Sequence, residues 1–200
     1  MSTESPPVLA RLRADVPPEL AAVPAPPLPR VRHPFAARIA EPSDAEMLAE
    51  WMHRPHLVSA WEYDWPSSRW RGHLEAQLAG TYSVPIIGSV AGETFASLEL
   101  YRAARDSIST CYNAHPHDLG LHAAIADPDN GNRGVASAAF PQVMASIFAQ
   151  DAQCQRMMFD PDHRNAAARR VCEAMGCTFL GEHDMPGRRM ALYEFRRPDG

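Results

Sequence analysis

The sequence predicts an α/β fold, a mixed sheet with helices on its faces. Short apolar runs of strand length alternate with segments whose apolar residues recur at helical spacing. Read along the chain the order is β-α-α-β-β-β-α-β-α-β-β, so strands and helices are interleaved rather than segregated. One run, Leu119-Gly120-Leu121-His122-Ala123-Ala124-Ile125-Ala126, has few polar residues on either face, the pattern of a strand in the middle of a sheet.

The chain has 200 residues and a formal net charge of −5, long enough for one domain that buries roughly two-thirds of its surface. No basic excess draws it to nucleic acid or to an anionic membrane. No apolar run approaches the ~20 residues of a transmembrane segment, and no secretory segment is expected. Cys111, Cys154, Cys172 and Cys177 form neither a CxxC pair nor a short-spaced framework, which fits a reducing cytoplasm.

Residues 1–34 hold nine of the 19 prolines. Proline fixes φ and removes backbone donors, so this part reads as an extended lead, either wrapped on the surface or mobile, before a domain over 35–200. A strand is expected at 36–40. Ser43-Asp44-Ala45-Glu46 has capping-box spacing and opens a helix to about His53, with Met47, Leu48, Trp51 and Met52 as its apolar face. Pro66 and Ser67 open a second helix, with Trp70, Leu74 and Leu78 inward and Gly80 as its stop. Runs at 82–90 and 94–101 around Ala91-Gly92-Glu93 predict a hairpin. After the strand at 119–126, Phe140, Val143, Met144, Ile147 and Phe148 mark a helix that Pro141 should bend or break. A strand at 156–160, a helix at 165–175 capped by Gly176, and strands at 177–180 and 190–195 complete the order.

Two places carry candidate chemistry. The turn at 127–134 leads from a strand into a helix, whose first N–H groups lack intrahelical partners and suit a phosphate. Gly131 and Gly134 would let that backbone approach closely, although Asp, Asn and Gly are also ordinary turn residues. His122 has Gly120 and Ala124 as neighbours on its face, which leaves a notch beside the imidazole; a core histidine bonded to a backbone carbonyl is the competing reading. At the second place, Asp160 ends a strand and Asp162 follows. Either can cap the next helix, or a ligand site can form where neighbouring strands end. His115, His117, Asp118 and His122 crowd one stretch, but alternation turns His122 away from the others, so no metal site is expected. The aromatic residues of AWEYDWPSSRW read as core or as a cover over a cleft.

The N-R-G-V-A turn at 132–136 and the run NAAARRVCEAMGCTF at 165–179 resemble the GNAT superfamily of acyl-coenzyme A dependent N-acyltransferases. That superfamily's loop reads [QR]-x-x-G-x-[GA]. Gly134 and Ala136 match it, while Gly131 stands in its first position and Arg133 is the nearest cation. The strings DAEMLAEWMHRPHL, AWEYDWPSSRWR, DLGLHAAIAD, MFDPDHRNAAARR and FLGEHD resemble the mycobactin lysine N-acyltransferases of siderophore biosynthesis over about residues 35–200. The resemblance implies a central mixed, mostly antiparallel sheet flanked by helices, and transfer of a long-chain acyl group, from an acyl carrier protein or acyl-CoA phosphopantetheine thioester, to the ε-nitrogen of a lysine or hydroxylysine siderophore precursor. It implies Asp160 as proton acceptor and His122 as a substrate-binding, orienting group. Gly131, Asn132, Arg133, Gly134, Val135 and Ala136 should hold the pyrophosphate, and Asn165 should reach the pantetheine arm. An acetyl-CoA-dependent N-acetyltransferase of hydroxylysine or an aminoglycoside, and a non-catalytic acyl-thioester binding module, are the alternatives.

That chemistry sets further expectations. An alkyl ammonium, with a reference pKa of about 10.4, has no lone pair until it loses a proton. Asp160 should therefore be desolvated enough to raise its pKa, or should chiefly hold the amine. Direct attack needs no enzyme nucleophile. Backbone N–H groups near 123–125 are the expected oxyanion donors. Gly120, Ala123 and Ala124 are small enough to line an acyl channel, and Arg133, Arg164, Arg169 and Arg170 are candidates to meet an acidic carrier or the coenzyme A phosphates.

Overall fold

The computed structural model describes residues 8–61, 63–127 and 134–198. Seven strands form one sheet in the order β1-β2-β3-β4-β5-β7-β6. They are β1 (Phe35–Ile39), β2 (Ser83–Val90), β3 (Glu93–Arg102), β4 (Leu119–Ile125), β5 (Arg156–Phe159), β6 (Thr178–Met185) and β7 (Arg188–Arg196). Only β4 and β5 run parallel, pairing at Leu119↔Met157 and Gly120↔Met158; the other neighbours are antiparallel. The pairing stops after those two positions although β4 continues to Ile125, so the sheet forks at its centre.

Alternation along β3 and β4 sends side chains to two apolar layers. Leu98, Leu100, Leu119 and Leu121 join Val143, Met144, Ile147 and Phe148 of the helix α5 (Val135–Gln150). On the other face Ile87 and Ala124 join Leu48, Trp51 and Met52 of α2 (Ala45–Met52), and Trp70 and Leu74 of α4 (Ser67–Ala79). Short helices α1 (Pro18–Ala21) and α3 (Pro55–Val58) lie in the connections. Helix α6 (Ala166–Ala174) ends in a Schellman arrangement. Cys177 N–H donates to Cys172 O and Gly176 N–H to Glu173 O, with Gly176 at φ +78°.

Several local expectations need correction. Pro141 does not break α5; it lies on the exposed face, where water can satisfy the carbonyl it leaves free. The start of α2 is organised one turn earlier, by Asp44 accepting from Glu41 N–H at 2.8 Å. Leu78 is 43% exposed, and the inward stripe of α4 is Trp70, His73, Leu74 and Gln77. The cap of α6 is Asn165, whose Oδ1 accepts from Ala168 N–H at 3.1 Å, whereas Asp162 binds Arg164.

The proline-rich lead is tied to the body. Arg30 and Arg32 N–H groups donate to Ser146 Oγ and Gln142 Oε1 on α5, and Gln150 donates to Leu28 O. Buried Arg102 holds Pro24 O at 2.8 Å and Asp151 at 2.8 Å. No helix among the described residues is long and apolar enough to cross a membrane.

Candidate active site

The site lies at the fork, on the face of α2 and α4. Glu99 stands directly opposite His122 in the β3–β4 register, and Tyr101 opposite Gly120, so cross-strand pairing alone places Glu99, Tyr101 and His122 together. Asp160 follows the last residue of β5. The short parallel pairing brings it level with His122, giving His122 Nε2 to Asp160 Oδ1 at 3.0 Å and His122 Nδ1 to Glu99 Oε2 at 3.2 Å. Trp61 meets the imidazole edge-on at 5.8 Å, while Tyr63, Trp65 and Trp70 stack behind it as core.

Asp160 is buried and surrounded by donors. Tyr101 Oη donates to Oδ1 at 2.8 Å, Arg188 Nη2 to Oδ2 at 2.5 Å, and Arg11 Nη1 to Oδ2 at 3.2 Å. Burial pushes this carboxyl up, but the charges of His122, Arg188 and Arg11 outweigh it and hold the group well below the usual carboxylate range. The expected desolvation is present and the expected rise in pKa is not. Burial likewise pushes Glu99 up and His122 down. The Glu99–His122 contact reverses the first, bringing Glu99 to about 2, and the Asp160 charge reverses the second, so His122 titrates above its ordinary value.

The competing reading of His122 as a core histidine satisfied by a backbone carbonyl does not hold, because both ring nitrogens face carboxylates. The notch expected beside it is filled: a Cβ on Gly120 would lie 2.0 Å from Tyr101 Cζ. A shallow apolar cleft, open to solvent, occurs instead on the α5 side, lined by Phe35, Phe95, Leu98, Ile125, Phe140 and Val143.

Gly134 stands at the start of α5 at φ +73° with open space at its Cβ position, and Val135 and Ala136 form the first turn. Gly131, Asn132 and Arg133 lie outside the described residues. The Asn165 side chain is committed to its helix cap. Arg164 pairs with Asp162 and Arg169 with Glu182, while Arg170 is exposed. His117 binds Asp151 and Asp118 binds Arg156, both apart from His122. Among the described residues no group of three His, Cys, Asp or Glu side chains is arranged to hold a metal ion.

Sequence reasoning missed Glu99, Tyr101, Arg188 and Arg11. The first two had a signal: Glu99 and Tyr101 alternate with Leu98 and Leu100, which places an acid and a phenol on one face of a central strand. Arg188 and Arg11 reach Asp160 from 28 and 149 residues away, and nothing local announces them.

A sheet that forks beside a glycine-led helix start, with a carboxylate–imidazole cluster buried in the fork, is the frame of an acyltransferase. The chain belongs to the GNAT acetyltransferase family, whose domain matches residues 41–185. It is 58% identical over 190 residues to the lysine N-acyltransferase MbtK of Mycobacterium tuberculosis, covering 95% of this chain and 90% of that one. To the protein of the same name from a Mycobacterium sp. it is 61% identical, over 96% of this chain and 79% of the relative. The fold superposes on the aminoglycoside acetyltransferase AAC(6')-Ib in complex with coenzyme A with a TM-score of 0.71, at 21% identity, over 82% of this chain and 95% of that one.

Proposed function

We propose that this enzyme is a lysine N-acyltransferase of mycobactin-type siderophore assembly, moving a long-chain acyl group from a phosphopantetheine thioester to a lysine or hydroxylysine ε-nitrogen. The observation that carries the mechanism is the Glu99–His122–Asp160 cluster buried where β4 and β5 part. The thioester enters the fork with the phosphate end of its pantetheine arm at the N–H groups of Val135 and Ala136. Ala126 N–H donates to Phe95 O on the β3 side, so by alternation the N–H groups of Ala123 and Ile125 face the fork, where they suit a developing oxyanion.

A lysine acceptor arrives as an ammonium. Asp160, anionic throughout, holds it. His122 Nε2, with Glu99 steadying the proton on Nδ1, is the better placed acceptor for the departing proton. The free amine attacks the thioester carbonyl, the C–S bond breaks, and the thiolate takes up a proton. Ile125 and Ala136 also line the apolar cleft, which offers an acyl tail a surface to lie against, each methylene buried contributing about 0.8 kcal/mol. Exposed Arg170 suits the acidic face of a carrier protein.

The test is thiol release from acetyl- to palmitoyl-coenzyme A with a lysine acceptor, with the product mass measured. Turnover rising with chain length supports the reading. Turnover with acetyl alone would assign the enzyme to small-molecule acetylation.

A further inference from the structure

The place an acceptor amine must take is held by the chain's own Arg11. Its Nη1 lies 2.6 Å from His122 Nε2 and 3.2 Å from Asp160 Oδ2, and its guanidinium lies 5.6 Å from the centre of the Tyr63 ring. A lysine ε-ammonium has to donate to these same two atoms. Arg11 Nη1 reaches His122 Nε2 and Asp160 Oδ2 together, so the guanidinium fills the space beside both atoms. A guanidinium and an ammonium therefore exclude each other there. Exchanging one monocation for another leaves the charge of the buried cluster unchanged, so neither state strands Asp160 beside too few cations.

The segment carrying Arg11 is attached at a few points. Val8 O contacts His73 Nδ1 at 3.2 Å, Arg13 N–H donates to Arg105 O at 3.0 Å, and Ser107 N–H donates to Arg11 O at 2.9 Å. Leu9 and Leu12 pack partly buried at the rim of the Tyr82, Tyr101 and Ile108 cluster. Further along, the anchors at Pro24, Leu28, Arg30 and Arg32 are independent of these, so residues 8–13 can lift while the rest of the lead stays bound.

We propose that residues 8–13 form a tethered substrate mimic, with Arg11 standing in for the acceptor's ε-ammonium, and that this segment withdraws for turnover. The inference rests on the reading of His122 and Asp160 as the amine site. A tethered group acts at an effective concentration in the millimolar range, so it competes with free lysine and screens against weak amines. The apparent affinity for the acceptor is reduced by the fraction of molecules in the open state. Withdrawal also removes one of the cations that hold Asp160 acidic.

The test uses the full-length protein and its Arg11→Gln variant, titrated calorimetrically with Nα-acetyl-lysine amide in the absence of thioester. The variant should bind the amine about tenfold tighter, the factor expected if one molecule in ten is open. Leu12→Ala, which loosens the segment without touching the site, should shift affinity in the same direction by less. In the unaltered protein, saturating amine should lower hydrogen-exchange protection at the amides of Arg13 and Ser107. Equal affinities of the parent and the Arg11→Gln variant, including no binding by either, would overturn the proposal. So would a collapse of kcat with unchanged amine affinity, which would make Arg11 part of the chemistry. Binding needs no acyl transfer, so inactivity toward every thioester would count against the function and leave this test intact.

Discussion

Each side chain of the cluster has a separable task. On the proposed mechanism Asp160→Asn keeps the size but removes the charge that would hold an ammonium, and its amide nitrogen cannot accept from the donors that meet one of the two oxygens. It should lower kcat by about 100-fold or more while thioester affinity changes little; equal losses in both would make Asp160 structural. Glu99 is the acid whose titration reports on the cluster. Its pKa is depressed from 4.5 to about 2, so its contribution to stability is fully present above pH 4.5 and is lost as the pH falls toward 2. Asp160 is shifted the same way and reinforces the trend. Urea midpoints should therefore fall between pH 5 and pH 3, and the fall should be shallower in Glu99→Gln. An unchanged slope would mean that Glu99 is not ionised in the folded cluster.

At the scale of elements, the β3–β4 pair works as a template. Gly120 must lack a side chain because Tyr101, its cross-strand partner, lies over it and donates to Asp160. Gly120→Ala should cost roughly 1 to 3 kcal/mol of stability through overpacking, and should lower kcat as well, because the displaced phenol no longer meets Asp160. Gly134 is constrained differently. There is open space at its Cβ position but φ is positive, so Gly134→Ala costs about 1 to 2 kcal/mol of backbone strain without a clash. Comparing both variants in thermal unfolding and in thioester binding separates the two causes: the first should act through the amine side of the fork, and the second through the pyrophosphate side.

For the whole molecule, the proline-rich lead joins the two ends of the machine. Its outer part rides on α5, and its first described residues reach the Glu99–His122–Asp160 cluster. Arg102 is the hub: 2% exposed, it binds Asp151 and the Pro24 carbonyl together. Arg102→Leu should destabilise the fold by about 3 kcal/mol, because it leaves Asp151 without its main cation. It should also speed proteolysis between residues 14 and 27. Destabilisation without faster cleavage there would mean that the lead is held chiefly by α5.

The order of strands and helices, the central position of β4 and the hairpin were legible in the chain, as was the pairing of His122 and Asp160 as candidate site residues, because each rests on local periodicity or on a motif within a few residues. The sequence by itself determined which elements form and which of their faces turn inward. What only the tertiary structure decided was the environment of Asp160. Burial alone would have made it a stronger base, and the expectation failed because His122 and, from distant parts of the chain, Arg188 and Arg11 bring positive charge against it. The same holds for Gly120, where local spacing suggested an open notch and a cross-strand tyrosine fills it. Secondary structure follows from interactions a few residues apart, whereas the electrostatics of a buried group sum over whatever the fold brings within a few ångströms.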